Sequence, residues 1–251
     1  YRCDESIFSI RLSAARQGVR CSFVRRLSVK IPVMPAKMED PIGEGYLLQI
    51  DDSGARLNYC GQTIARFPAS LQLLLDGAGS ARTLRFPLGM PGRSFYGFGE
   101  KFDAVDQAGK APLNYVVEQF ANQGDKTYLP IPFFFTEQGA AFLQTTNSRS
   151  QFDLSRVSKT GEVEISAECG EGETLYEAVL SCGTPTQALE MYSFETGAAA
   201  LPPVWAFGHW ISSNGWNTQA EALEQVAAMN EHQIPATVMV LEAWSDEETF
   251  Y

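Results

Sequence analysis

The strongest constraint on the fold is a pattern near the end of the sequence, where two short apolar runs flank a helix-forming stretch. The runs, at residues 207–211 and 237–241, have the character of parallel strands that are covered on both faces. Between them, Thr218 and Glu221 have the spacing of a capping box, which begins a helix. The helix is expected to end before Pro235, because proline interrupts helical hydrogen bonding. The sequence therefore predicts one βαβ unit.

One βαβ unit cannot bury its own faces, since a closed (β/α)8 barrel needs eight strands and about 250 residues. We therefore expect residues 204–251 to be the first βαβ unit of an incomplete barrel within a larger polypeptide or assembly. Soluble proteins avoid bare apolar faces and unpaired strand edges. We expect this segment to fold stably only beside later barrel strands, supplied by the same polypeptide or by a second chain.

Residues 1–183 have a different pattern, in which short segments of strand character are separated by turn residues. No helical stretch lies between them, so they predict a mainly β fold, an antiparallel β-sandwich with almost no helix. The polar segment at 102–128 has weak periodicity and is predicted to be a long loop, a feature that is usually functional or disordered. The predicted strands lie at 7–13, 46–50, 55–59, 63–67, 70–75, 81–86, 131–136, 140–145, 151–154 and 162–167.

A junction is predicted at residues 184–203. Thr184 and Gln187 have capping-box spacing, Pro185 suits the first helical position, and Gly197 suits the end of the helix. A proline-rich segment follows, and prolines favour extended, irregular backbone. The junction is therefore expected to hold a linker helix and an extended connection to the βαβ unit.

Composition excludes several classes of function. The formal net charge of −11 argues against nucleic acid, which requires a basic face. No apolar run approaches the ~20 residues of a membrane span. The five cysteines lack C-x-x-C spacing and only two histidines occur, so we expect neither a metal site nor a cofactor. Free thiols favour a reducing compartment such as the cytoplasm.

Three segments resemble glycoside hydrolase family 31, the α-glucosidase and α-xylosidase family. They are the FYGFGEKF sequence at 95–102, the IPFFF strand at 131–135 with AAFL at 140–143, and residues 184–210, which include LPPVWAFG. The resemblance implies a galactose-mutarotase-like sandwich followed by a (β/α)8 catalytic barrel. It implies no cofactor, and an α-linked oligosaccharide or glucoside as substrate.

Family members are retaining enzymes with two catalytic aspartates on later barrel strands. No matching motif occurs in this sequence, so the resemblance places both aspartates beyond Tyr251 and implies that the fragment alone is inactive. Asp246, Glu247 and Glu248 are adjacent carboxylates on a predicted loop just after the second strand. They are not expected to form the catalytic pair.

The resemblance also suggests residues that would bind the sugar. Glu242 takes the place of an aspartate that reaches sugar hydroxyls at the end of the second strand. Trp210, at the end of the first apolar run, and Trp244, at the end of the second, would form apolar walls. A loop from the sandwich presents a polar residue in the family, and here its candidates are Asn122, Gln123 and Asp125. For each residue a structural role is the alternative: a salt-bridged strand end, barrel packing, or a plain surface loop.

The leading hypothesis is therefore a fragment of a retaining α-glycosidase, most simply an α-glucosidase. An α-glucosyltransferase or glucan lyase of the same family is the first alternative, because downstream residues would decide among these activities. A non-catalytic carbohydrate-binding sandwich and a structural or interaction domain are alternatives of a different class. The Leu-Pro-Pro junction and the βαβ pattern argue against the binding module, since a free-standing lectin has no need of barrel strands.

Overall fold

The structure is a computed structural model that forms two compact units, Tyr1–Gly197 and Ala198–Tyr251. Glu242, Trp244, Asp246, Glu247 and Glu248 lie outside the described residues. The structure describes residues 2–3, 6–15, 17–25, 38–41, 45–51, 54–68, 72–75, 81–119, 121–169, 174–213, 215–216 and 218–241.

The described part of the first unit is built almost entirely of strands. Sixteen of them occur in chain order: β1 (Arg2–Cys3), β2 (Ser6–Ala15), β3 (Gly18–Arg25), β4 (Met38–Pro41), β5 (Tyr46–Asp51), β6 (Gly54–Tyr59), β7 (Gln62–Pro68), β8 (Gln72–Leu75), β9 (Ala81–Gly89), β10 (Phe95–Gly99), β11 (Leu113–Asn114), β12 (Pro130–Thr136), β13 (Ala140–Gln144), β14 (Ser150–Asp153), β15 (Glu162–Glu168) and β16 (Thr174–Cys182).

These strands form two antiparallel sheets. The seven-stranded sheet has the order β1-β2-β3-β16-β13-β12-β10. The nine-stranded sheet has the order β11-β14-β15-β9-β7-β6-β5-β4, and β8 also pairs with β9. Before residue 184, the described part of the chain has one helix, the four-residue α1 (Val157–Thr160). The predicted antiparallel sandwich with almost no helix is confirmed.

The main core combines apolar side chains from both sheets, and its centre is aromatic. Phe134 on β12 has no exposed surface. Its ring stacks on Phe98 and Phe142, with centroids 4.8 and 5.1 Å away, and meets Phe152 edge-on at 5.6 Å. Phe95 is 5.9 Å away. One ring therefore links β10, β12 and β13 to β14 in the other sheet.

Phe134→Ala is expected to lower the free energy of unfolding of the first unit by about 3–5 kcal/mol, because it leaves a cavity at this aromatic centre. The control is Phe102→Ala, since the Phe102 side chain is 63% exposed and removing it opens no cavity. Denaturant unfolding followed by near-ultraviolet circular dichroism measures both variants. Equal losses for the two variants would contradict the assignment of Phe134 to the core.

A helix, α2 (Pro185–Thr196), packs on the sandwich. Thr184 and Gln187 form the predicted capping box, and Gly197 is the C-cap residue. Ala188 and Met191 are buried in a second, smaller apolar cluster that also contains residues of β12, β13 and β16. The helix is therefore held to the seven-stranded sheet by apolar burial.

An ionic network reinforces the attachment of α2. The Arg20 guanidinium on β3 donates to Glu177 on β16 and to Glu195 in the last turn of α2. Glu177 also accepts hydrogen bonds from Ser22 Oγ at 2.8 Å and Thr145 Oγ1 at 2.9 Å. Burial raises the pKa of the Glu177 carboxyl, but these hydrogen bonds outweigh burial and hold its pKa below its usual range.

Because the folded-state pKa of Glu177 is depressed, its stabilisation is present above the unfolded-state pKa. It is lost as the pH falls through the lower folded-state pKa. Glu177→Gln is therefore expected to cost about 1–2 kcal/mol at neutral pH and progressively less below about pH 4.5. Unfolding curves between pH 3 and 7 measure the difference. The control is Glu168→Gln, an exposed carboxylate on β15. A cost that does not change with pH would contradict the linkage.

The second unit contains the predicted βαβ unit. A 3-10 turn (Val204–Phe207) precedes β17 (His209–Ser213), α3 (Gln219–Glu231) and β18 (Ala236–Leu241). β17 and β18 pair in parallel. Thr218 and Glu221 form the predicted capping box of α3. None of the described helices has the length and apolar character that crossing a membrane requires.

The start of the first strand was predicted wrongly. It begins at His209 rather than at residue 207, because the turn after Pro203 is closed by hydrogen bonds from Ala206 N to Pro203 O and from Gly208 N to Trp205 O. Helix α3 ends at Glu231, before Pro235 as expected, and Gln233 then adopts a left-handed φ of 56°.

Candidate functional site

The polar loop of the first unit has a defined and internally bonded structure. Val117 N donates to Thr127 O at 3.1 Å, which closes the base of the loop. The Gln119 side-chain amide donates to two main-chain carbonyls, of Ala121 and Asn122, at 2.9 and 2.8 Å. Lys126 Nζ donates back to Gln119 Oε1 at 3.2 Å. We call residues 117–127 the braced loop.

The three candidate sugar-binding residues of the sandwich lie together on the braced loop. Asn122 has a left-handed φ of 56°, which asparagine tolerates better than most residues, and Gly124 follows with 59°. Asn122 and Asp125 are exposed and Gln123 is half-buried. Within the described part of the chain, their side-chain polar atoms have no hydrogen-bond partner, so amide and carboxylate groups are available to a ligand that presents hydroxyls.

The strand that approaches the braced loop, β10, is constrained by two glycines. A side chain at Gly97 or Gly99 would collide with the backbone of β12 or of the residue before it, since both glycines have positive φ at a β-bulge. Glu100 N then donates to Leu129 O at 3.0 Å. The interpretation of these glycines as strand-bend residues rather than a phosphate cradle agrees with this geometry.

Lys101 follows directly and contacts the loop. Its Nζ donates to the main-chain carbonyl of Asp125 at 3.1 Å. Burial lowers the pKa of Lys101, and the nearby carboxylates of Asp103 and Asp125 offset part of that effect. Lys101 was not among the residues predicted from the sequence. The only local signal is that a lysine follows the FYGFGE segment, and nothing in its spacing indicates a contact 24 residues away.

In the second unit, Trp210 is half-exposed and lies near the beginning of its strand. Its indole Nε1 donates to Ala206 O at 3.1 Å, and its ring is 6.3 Å from that of Trp205. The expectation that Trp210 lies at the C-terminal end of the strand was wrong, because β17 runs from His209 to Ser213 and Trp210 is its second residue. The C-terminal end of the strand pair is instead formed by Ser213, opposite Leu241.

Glu242 and Trp244 are outside the described residues, but β18 ends at Leu241, directly before Glu242. No residue of 198–212, 215–216 or 218–241 is buried. Large apolar side chains of this unit are instead exposed: Leu201, Val204, Trp205, Phe207, Trp210, Leu223, Val226, Ile234 and Leu241. Across all described residues, no cluster of three or more potential metal ligands occurs.

The first unit is an antiparallel sandwich and the second contains a parallel βαβ unit, the repeating element of (β/α)8 barrels. The model of the glycosyl hydrolase 31 N-terminal galactose mutarotase-like domain matches residues 78–153, and that of the glycosyl hydrolases family 31 TIM-barrel domain matches residues 199–251. The chain belongs to glycoside hydrolase family 31.

Relatives include enzymes that act on α-linked sugars. The isomaltosyltransferase of Sporosarcina globispora is 33% identical over 62% of this chain and 14% of its own length. The 1,3-alpha-isomaltosidase of Kribbella flavida is 34% identical over 62% of this chain and 22% of its own length. The cycloalternan-forming enzyme from Listeria monocytogenes, solved with a pentasaccharide substrate, is 26% identical with a TM-score of 0.79, over 96% of this chain and 25% of that chain. The chain thus spans a quarter or less of these relatives.

Proposed function

We propose that this chain provides the sandwich and the first βαβ unit of a retaining family 31 enzyme that acts on α-linked gluco-oligosaccharides. The observation that carries the proposal is the match of two consecutive family domains to an antiparallel sandwich and a parallel βαβ unit. The proposed domains are a sandwich at 1–183, a linker helix and proline-rich junction at 184–203, and the start of the catalytic barrel at 204–251.

In such an enzyme the bond-breaking groups are two carboxylates, one attacking the anomeric carbon and the other protonating the leaving oxygen. We place both outside residues 1–251. The residues of this chain bind and orient the sugar. An oriented carboxylate or amide that accepts and donates hydroxyl hydrogen bonds fixes the sugar ring for attack, and positioning of this kind lowers the barrier considerably.

Glu242 is the proposed carboxylate at the end of the second barrel strand. It directly follows β18, and the C-terminal strand ends are where barrel enzymes hold substrate. Trp244 is proposed to form an apolar wall beside it. Trp210 is proposed as a second wall, although it lies three residues before the end of β17. The sandwich is proposed to contribute Asn122, Gln123 and Asp125 as further sugar-binding residues.

Hydrolysis of α-glucosides is the simplest activity, and transfer of a glycosyl unit is the second candidate. The isomaltosyltransferase relative and the cycloalternan-forming enzyme favour transfer, whereas the 1,3-alpha-isomaltosidase favours hydrolysis. The names of the isomaltosyltransferase and of the 1,3-alpha-isomaltosidase both refer to an isomaltose unit. We therefore propose an isomaltosyl unit as the group that is cleaved or transferred, with water or a sugar hydroxyl as acceptor.

The function is tested with the complete protein that contains this chain. An oligosaccharide ending in an isomaltosyl unit is the substrate, and a maltosyl oligosaccharide of equal length is the control. Early proton NMR spectra are expected to show the α-anomer first, and chromatography then separates hydrolysis from transfer products. A β-anomer formed first would contradict a retaining mechanism. Binding without turnover would favour a carbohydrate-binding module.

Glu242→Gln in the complete protein is expected to lower kcat/KM by about ten- to a hundred-fold, because a charged hydrogen bond to sugar hydroxyls is weakened. The thermal unfolding midpoint should stay unchanged. Glu231→Gln is the matched control, since Glu231 is exposed at the end of α3. An unchanged kcat/KM for Glu242→Gln would remove this residue from the sugar site.

A further inference from the structure

We propose that Lys101 is a positioning residue that fixes the braced loop, residues 117–127, in the conformation that presents Asn122, Gln123 and Asp125. The inference depends on the proposed sugar-binding role of that loop. It concerns a residue that itself bonds to the loop backbone rather than to the sugar.

The braced loop has hydrogen bonds within itself and a hydrogen bond from Lys101 outside it. The bonds of Gln119 and Lys126 close the loop on itself. Between described residues, the hydrogen bond from Lys101 Nζ to Asp125 O joins residues 118–126 to the chain outside the loop. Internal bonds shape the loop but leave it free to pivot about its base at Val117 and Thr127. A bond from outside removes that freedom.

The backbone that directly precedes Lys101 is held in place. The bulge at Gly99 is packed against the backbone before β12, and Glu100 N is bonded to Leu129 O. Lys101 therefore lies two residues after the end of β10, next to a backbone hydrogen bond that fixes Glu100. A side chain that begins beside this fixed backbone and ends on the loop limits the motion of the loop.

The ammonium group of Lys101 is half-buried and positively charged. A half-buried ammonium group loses hydration, and that cost must be offset by hydrogen bonds or opposite charge. Two carboxylates lie near Lys101, those of Asp103 and Asp125. Asp103 already binds Lys110 Nζ at 2.7 Å and the Gln107 amide at 3.2 Å. The hydrogen bond of Lys101 is instead directed to the main-chain carbonyl of Asp125.

The braced loop needs the hydrogen bond from Lys101 to keep its shape. Two of its residues, Asn122 and Gly124, have left-handed backbone conformations, and its bonds to Gln119 are exposed to solvent. Exposed loop hydrogen bonds open at little cost in free energy. Without a hydrogen bond from outside the loop, the side chains of Asn122, Gln123 and Asp125 would sample many positions. Sugar binding would then have to order them, at a cost in conformational entropy.

The test compares Lys101→Met, Lys101→Arg and Lys159→Met in the complete protein. Lys159 is an exposed lysine on α1 and serves as the matched control. Hydrogen exchange without substrate measures protection of the Lys126 amide, which is bonded to Gln123 O. KM and kcat are measured with the isomaltosyl oligosaccharide. Lys101→Gln replaces Lys101→Met if the latter does not fold.

Lys101→Met is expected to accelerate exchange at Lys126 about ten-fold and to raise KM about ten-fold, with kcat nearly unchanged. Lys101→Arg should restore both values, and Lys159→Met should change neither. Unchanged exchange in Lys101→Met would overturn the positioning role, whatever the kinetics.

Two further variants separate this proposal from the proposed function. Asn122→Gly keeps the left-handed backbone but removes the amide, and Asp125→Asn keeps the carbonyl that Lys101 binds. If either raises KM while Lys101→Met does not, the sugar site stands and the positioning role fails. If none of the three raises KM, the loop is not a sugar site and both proposals fail for it.

Discussion

The aromatic packing around Phe134 is the interaction on which the rest of the first unit depends. Phe95 and Phe98 come from β10, Phe134 from β12 and Phe152 from the opposite sheet. The segment between β10 and β12 contains the whole polar loop region. Burying these rings fixes both ends of that region at the same time, so a long loop of low periodicity can keep a defined shape. The candidate site is therefore a consequence of apolar burial some distance from it.

The two units differ in how they bury apolar side chains. The sandwich has a continuous core, whereas no residue of 198–212, 215–216 or 218–241 is buried. Apolar surface contributes about 25 cal/mol per Å² when it is removed from water, so exposed tryptophan, phenylalanine and leucine side chains leave much of that stabilisation unrealised. The capping boxes and the parallel pairing specify the βαβ unit locally. Its stability is proposed to come from further barrel strands and helices.

Local chemistry made much of this structure predictable. Helices α2 and α3 were predictable from their capping boxes, because a cap depends only on neighbouring residues. The capping boxes are Thr184 with Gln187 and Thr218 with Glu221. Strand β16 was missed, because most of its side chains on both faces are buried and its sequence does not alternate. The start of β17 was also misplaced, because an apolar run after two prolines fits a 3-10 turn as well as a strand.

The candidate site was likewise predictable from the sequence only in part. Asn122, Gln123 and Asp125 could be proposed from their place in a polar segment before a recognisable strand. Lys101 could not, because its role depends on a contact with Asp125 that exists only once β10 and β12 are paired. Trp210 was placed correctly on a barrel strand but at the wrong end, since a shift of two residues moves a side chain along the strand.

The chemistry of the proposed substrate explains why such contacts matter more than net charge. A gluco-oligosaccharide is neutral, so the net charge of −11 cannot attract it over a distance. Recognition must then come from short-range hydrogen bonds, which depend steeply on distance and angle. A carboxylate or amide on a loop satisfies those limits only if the loop is held still. On this reasoning a lysine that binds only backbone can control the affinity for a ligand that it never touches.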